Sequence, residues 1–255
     1  MFDTGMDYSR YLQRIKFSDR AQADDPTLMS LHQHHVMFVP FENLDIYYRK
    51  MFDLEIENIF RKVVENVRGG FCYELNYLFN SLFNAIGFSS KIISSRVFDS
   101  SGVLGPEFDH MSIHVRTDKD YLADVGFGDL FLRPLEIKDG VQSDGRNLFL
   151  IEAVGDGAFA LSMSSRGSDF QKKYVFSLKE MPLENFKAPC FDKQTNPESY
   201  FVKNTICTRA TESGRITLLN NKIIRNNGQE RIETTILSDI DLRVQLMKHF
   251  NIEIK

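Results

Sequence analysis

The chemistry that can be read from this chain gathers around one cysteine. Cys72 follows Arg68-Gly69-Gly70-Phe71, a glycine break that ends one apolar-patterned stretch and opens another. A thiol attacks well only as thiolate, and an ordinary cysteine with a pKa of about 8.5 is mostly protonated at neutral pH. A helix N-terminus and a neighbouring imidazolium both lower that value. Gly69 and Gly70 permit close backbone approach, and the unpaired N–H groups of a helix start would also stabilise an oxyanion on an attacked carbonyl. The competing reading is an inert buried thiol, the usual fate of a free cysteine.

A nucleophilic thiol needs a base, and the base needs a group to orient it. Six histidines are available. His32, His34 and His35 crowd one expected helix without a further ligand motif, which favours packing or surface roles over a metal site. His249 falls in the last turn of the expected terminal helix, where it suits the dipole. His110 and His114 flank and begin an expected strand. With Cys72 before them and Asp124 after, they give the order cysteine, histidine, acid of papain-type enzymes, and spacing does not choose between them. Asp124 is a carboxylate within the apolar run Tyr121-Leu122-Ala123-Asp124-Val125-Gly126-Phe127-Gly128. Buried, it requires a partner such as an imidazole N–H; at a strand end, it would form a turn. Arg68, beside so apolar a helix start, also requires partners, and Glu42 or Asn43 is expected to supply them.

These groups must be held by regular elements. Apolar residues recur at three- and four-residue spacing over 8–17, 25–36 and 51–67, and 71–86 predicts a helix with Cys72 in its first turn. Short β-branched and aromatic runs then predict strands at 91–98, 111–116, 121–125, 147–154, 159–163 and 171–178, in an antiparallel barrel or sheet. A short helix at 196–202, strands at 206–210, 216–219 and 231–237, and a final helix capped by Ser238 complete an α+β chain.

Bulk properties narrow the function classes. With 255 residues, 42% of them hydrophobic and 26% charged, the chain has a globular composition. Its net charge of −4 is spread along the length without a basic cluster, so no nucleic-acid partner is expected. No apolar segment approaches the ~20 residues of a membrane span, and the first residues show no signal-peptide pattern. Cys72, Cys190 and Cys207 form no CxxC pair and are odd in number. That argues against a disulfide framework or a cysteine zinc site and fits a reducing, cytoplasmic setting. The 22 phenylalanines mainly predict core, with some available to flat ligands.

Arg68-Gly69-Gly70-Phe71-Cys72-Tyr73-Glu74-Leu75-Asn76 resembles the active-site signature of the arylamine N-acetyltransferases. Val39-Pro40-Phe41-Glu42-Asn43-Leu44, approached by Leu31-His32, is similar to that family's second N-terminal motif. Asp109-His110, leading into Ile113-His114-Val115, resembles the segment holding its histidine, and Asp124-Val125-Gly126-Phe127-Gly128 the one holding its aspartate. Asn196-Pro197-Glu198-Ser199-Tyr200-Phe201 resembles the opening of its third domain. The matches run in order over residues 11–201.

The resemblance implies a papain-like cysteine-enzyme scaffold. An N-terminal helical bundle (1–88) would carry the nucleophile, a central antiparallel β-barrel (89–195) the histidine and aspartate, and an α/β lid (196–255) would follow. It implies a triad of Cys72, His110 and Asp124, and so selects His110 over His114. It implies acetyl-CoA as donor, an arylamine, arylhydrazine or hydrazide as acceptor, a ping-pong course, and no metal. Gly126, Phe127 and Gly128 are expected near the CoA pyrophosphate, with Phe127, and more weakly Phe41, against the acceptor ring. The expected resting state is a Cys72 thiolate beside a His110 imidazolium that Asp124 steadies. Rival readings are a macrocycle-closing amide synthase on the same scaffold, a papain-like protease and a binding module without catalysis.

Overall fold

Helices α1 (Tyr8–Arg14), α2 (Asp25–Phe38), α3 (Leu44–Tyr47), α4 (Ile56–Phe60) and α5 (Cys72–Ile86) dominate the first third of the computed structural model, which describes residues 6–165 and 168–254. Capping sets their limits. The Asp24 carboxylate accepts from the Thr27 N–H at 2.9 Å at the start of α2, and Gly87, at φ 107°, ends α5. The helix expected over 51–67 is shorter. α4 begins at Ile56 and passes into one π-helical turn, Arg61–Glu65. Val67 then turns left-handed (φ 53°), sending Arg68-Gly69-Gly70 back alongside Pro40–Glu42.

That reversal explains the glycine pair. The Gly70 N–H donates to the Pro40 carbonyl and the Glu42 N–H to the Gly70 carbonyl, at 3.3 and 2.9 Å. A Cβ on Gly69 would collide with the Pro40 carbonyl oxygen and lie 2.7 Å from the Glu42 side chain. The two N-terminal motifs are thus zipped together directly before Cys72.

Strands β2 (Ser89–Val97), β3 (His110–Arg116), β4 (Asp120–Ala123), β5 (Leu135–Glu136), β6 (Val141–Ser143), β7 (Asn147–Gly155), β8 (Ala158–Ser165) and β9 (Gln171–Glu180) form one antiparallel barrel-like sheet, ordered 5-4-3-2-9-8-7-6. Strand β1 (Phe41–Glu42) joins a second antiparallel sheet with β10 (Ile206–Thr211), β11 (Gly214–Leu219), β12 (Lys222–Asn226) and β13 (Arg231–Thr235). Helices α6 (Glu184–Thr195) and α7 (Tyr200–Lys203) lie between the sheets in sequence, and α8 (Asp239–Phe250) closes the chain. Sequence patterning did not mark α6 or β12, and it began α7 four residues early.

Leu75, Leu78, Phe79, Leu82 and Phe83 of α5 bury one face against α2 residues Leu28 and Leu31 and against Met111, Ile113 and Val115 of β3. A second cluster, including Ile93, Phe149, Leu161, Tyr174 and Phe176, fills the barrel-like sheet. A third joins Leu218 and Ile223 to Leu242, Leu246 and Phe250 of α8. Many of the largest fully buried side chains are phenylalanines, as composition led us to expect. Among the described residues, no helix is long and apolar enough to cross a membrane.

Candidate active site

Helix α5 begins at Cys72, and its entry is built by charge. The Phe71 N–H donates to the Glu74 carboxylate at 2.7 Å. Glu74 is itself buried and held by the Lys62 ammonium at 2.9 Å, which also reaches Asp45 at 2.7 Å. Arg68 pairs with Glu42 at 2.8 Å and with Asp45 at 2.9 Å. The expectation for Arg68 therefore holds through Glu42. Asn43 instead bonds Phe201 and Asn204 carbonyls and the Ile206 N–H. The π-helical turn has a use here, because it places Lys62 between the two carboxylates. Burial lowers the Lys62 pKa, yet Glu74, Glu42 and Asp45 together hold it above its usual value.

His110 opens β3, and α5 grips the chain on both sides of it. The Tyr73 hydroxyl lies 2.9 Å from each of the Phe108 and Asp109 carbonyls, and Asn76 Nδ2 donates to the Met111 carbonyl at 2.6 Å. Residues one and four places past Cys72 on a single helix thus fix the position of the histidine. His110 Nε2 meets Asp124 Oδ2 at 2.7 Å. His114 points elsewhere, to Asp120 at 2.7 Å. The geometry joins Asp124 to His110, a choice that spacing alone left open.

Asp124 lies just beyond β4, not within a strand as expected, and its carboxylate is surrounded by donors. Oδ1 accepts from Asn76 Nδ2 (2.9 Å) and from the Gly126 and Phe127 N–H groups (3.0 and 3.1 Å). Oδ2 accepts from Tyr174 (3.1 Å) as well as His110. Burial would raise its pKa, but the His110 ring and the bonds from His110, Asn76 and Gly126 reverse this and keep the carboxyl below its ordinary value. The Gly126 and Phe127 N–H groups of the expected pyrophosphate loop thus point at Asp124. Gly126 has a different task. A Cβ there would sit 2.7 Å from Asn76 Nδ2 and from the Cys72 carbonyl oxygen, so its bareness lets the aspartate loop touch the cysteine's backbone.

Three further residues position the site without having been singled out for it. Asn76 also accepts the Val125 N–H at 2.9 Å. Tyr174 supports Asp124 from β9. Neutral His32, its Nδ1 proton directed at the Leu132 carbonyl (3.0 Å), accepts the Asp124 N–H at 3.2 Å. Burial depresses the His32 pKa to about 4, so this acceptor persists at neutral pH. His32 and His35 are fully buried packing residues, in line with the packing reading of the cluster.

Aromatic rings pack beside His110 and around Phe71, the residue before Cys72. The Phe127 ring stands 5.2 Å from the His110 ring, nearly perpendicular to it, and 5.6 Å from Tyr174. Phe41 packs on Phe71 and Phe201 at 5.6 and 6.1 Å. Lys193 bonds Asp109 at 2.5 Å and sits over Phe201. Cys72 is almost wholly buried. Burial pushes its thiol well up; Lys193 opposes this, while Cys190, Asp109 and Asp124 push further up. The expected thiolate therefore has to overcome burial.

The chain resembles known proteins over nearly its whole length. The chain is 29% identical to the Gallus gallus pineal-gland arylamine N-acetyltransferase isozyme NAT-3 over 276 aligned residues, covering 97% of this chain and 94% of that protein. Human arylamine N-acetyltransferase 1 is 28% identical, with 98% and 95% covered. The solved arylamine N-acetyltransferase of Mycobacterium smegmatis superposes with a TM-score of 0.89 at 27% identity, over 97% of this chain and 93% of that one. The Mycobacterium marinum enzyme in complex with CoA shares the fold, with a TM-score of 0.89 at 24% identity and 96% and 93% covered. The family model described as N-acetyltransferase matches residues 25–255, and with a buried cysteine, histidine and aspartate gathered at one helix start, this chain belongs to the N-acetyltransferase family.

Proposed function

We propose that Cys72, His110 and Asp124 carry an acetyl group from acetyl-CoA to an arylamine, arylhydrazine or hydrazide by way of a Cys72 thioester. The observation that carries this reading is the His110–Asp124 pair, fastened by Asn76 to the helix that opens with Cys72. With Nε2 held by Asp124, His110 has Nδ1 left for the thiol proton. That proton moves to His110 before attack, and as the Sγ anion bonds the acetyl carbon the carbonyl oxygen gains charge opposite the N–H groups of the first turn of α5. Collapse breaks the bond to the CoA sulfur, which leaves with the proton. In the second half, the amine nitrogen attacks the Cys72 thioester and gives His110 a proton, which returns to Sγ when the C–S bond breaks. One thioester replaces another in the first half, so the acetyl group is held without a large energy drop. A weakly basic aryl amine is unprotonated at neutral pH and can attack once placed.

Phe127 and Phe41 are our candidates for the wall that receives the aromatic acceptor, and Gly128 for close approach of the CoA phosphates. Residues 1–88, 89–195 and 196–255 are read as three units, the last borrowing β1 from the first. Three buried free thiols support a cytoplasmic setting.

The test is intact mass after mixing with acetyl-CoA alone. The protein should gain one acetyl group, mapped to Cys72, and lose it when an arylamine is added. Cys72→Ala should gain none. Product formation with no acetylated protein at any time would overturn the mechanism, as would an acetyl group on another residue with turnover intact.

A further inference from the structure

Helix α8 has two apolar faces, and only one of them is used. Leu242, Leu246 and Phe250 are buried in the third core. On the other side Leu237, Ile240, Val244 and Met247 are 87, 76, 55 and 44% exposed. Their spacing of three, four and three residues is that of a coiled-coil seam. Leu237 precedes the Ser238 cap, yet its N–H donates to the Asp241 carboxylate at 3.0 Å, which pins it to the first turn. Three large apolar side chains in a row on a twelve-residue helix, with Leu237 pinned just before it, make a patch that wants a partner.

Of the charges on α8, Asp239 is taken within the chain by Arg243 at 3.0 Å. Asp241 in the first turn and Lys248, with no partner among the described residues, in the last are left to face another surface. We propose that this face pairs with the same face of a second copy, the two α8 helices running antiparallel about a two-fold axis near Val244. In that orientation Asp241 of each copy meets Lys248 of the other and the helix dipoles oppose. A parallel pairing would set acid against acid. An anionic lipid surface would meet the acidic turn as well as the lysine, so charge favours the second copy over a membrane. No residue of the Cys72 site lies on α8, so the interface and the chemistry can fail independently.

Sedimentation of the full chain over nanomolar to high-micromolar concentration tests this. The wild type should move from the mass of one chain to that of two. Val244→Lys should stay at one chain throughout, and Lys248→Glu should raise the dissociation constant about tenfold. Both positions face solvent in the single chain, so melting temperature and acetyl transfer per chain should be unchanged. A wild type that stays single at every concentration would overturn the proposal. So would a dimer indifferent to Val244→Lys, or a single chain that instead co-floats with anionic vesicles.

Discussion

Gly126→Ala asks whether the aspartate loop must touch the cysteine for transfer to work. The new Cβ would lie 2.7 Å from Asn76 Nδ2, 2.7 Å from the Cys72 carbonyl oxygen and 2.9 Å from Cys72 Cα. Carbon normally rests about 3.5–4.0 Å from such atoms, so the loop and the first turn of α5 must part by roughly 1 Å. Two of the three obstacles are backbone, which cannot swing aside as a side-chain tip does. Overpacking of this kind costs about 1–3 kcal/mol, a fall of roughly 2–10 °C in melting temperature for a chain of this size. The rate should suffer more, because a displacement near 1 Å of reacting groups costs about 10²-fold. Single-turnover acetylation of Cys72, followed by intact mass, reads the rate, and thermal melting reads the fold. Gly140→Ala is the control. It places a side chain at φ 105° in open space, so it should lower stability without slowing acetylation. If Gly126→Ala melts earlier as expected but acetylates within about twofold of wild type, the loop contact does not set the geometry of attack.

Other perturbations address the supports. Arg68→Ala strips the charge partner from buried Glu42 and should cost about 3–5 kcal/mol, seen as a clear loss in urea midpoint; an unchanged midpoint would show the cluster to be dispensable. Alkylation of Cys72 by iodoacetamide should persist well below pH 7 in wild type and lose that acid limb in Asp124→Asn. A wild-type profile centred at or above the ordinary thiol range of about 8.5 would mean that burial prevails and the proton moves only during attack. For His32, the folded pKa of about 4 lies below the unfolded 6.5, so the unfolded chain binds more protons between those values. Its contribution is therefore complete above about pH 6.5 and lost as pH falls towards 4, up to about 3 kcal/mol. Urea unfolding of wild type and His32→Gln across that window should diverge accordingly, and equal slopes would refute the assignment.

How much of this could be read beforehand depended on range. The start of α5 was legible because its signals are local: a glycine pair, a cysteine and the apolar stripe that follows. Asp124 was legible as a carboxylate out of place among apolar residues. Asn76 and Tyr174 were not, since each earns its role from a partner about fifty residues away. One signal for Asn76 did exist, a lone amide amid the buried stripe Leu75, Leu78, Phe79 and Leu82. His32 was visible only as one of a crowd, because the N–H it accepts belongs to a backbone group 92 residues on. Helix α6 escaped notice because Pro189 interrupts it and little beyond Phe186 and Cys190 is buried along it. Strand β12 offers only Ile223 and Ile224 between charged ends.

The Asp124 carboxylate accepts five hydrogen bonds on two oxygens, and that bears on where protons can rest during turnover. To take up a proton it would have to give up a donor, and the five donors come from four structural members: α5, β3, β9 and, twice, the loop itself. Protonation would loosen the frame at the instant the thioester forms. In the proposed mechanism Asp124 therefore stays an anion from one end of the cycle to the other. The mobile proton would have two addresses, the histidine ring and whichever sulfur or nitrogen is reacting, while the aspartate would supply a standing field against which the ring's charge rises and falls.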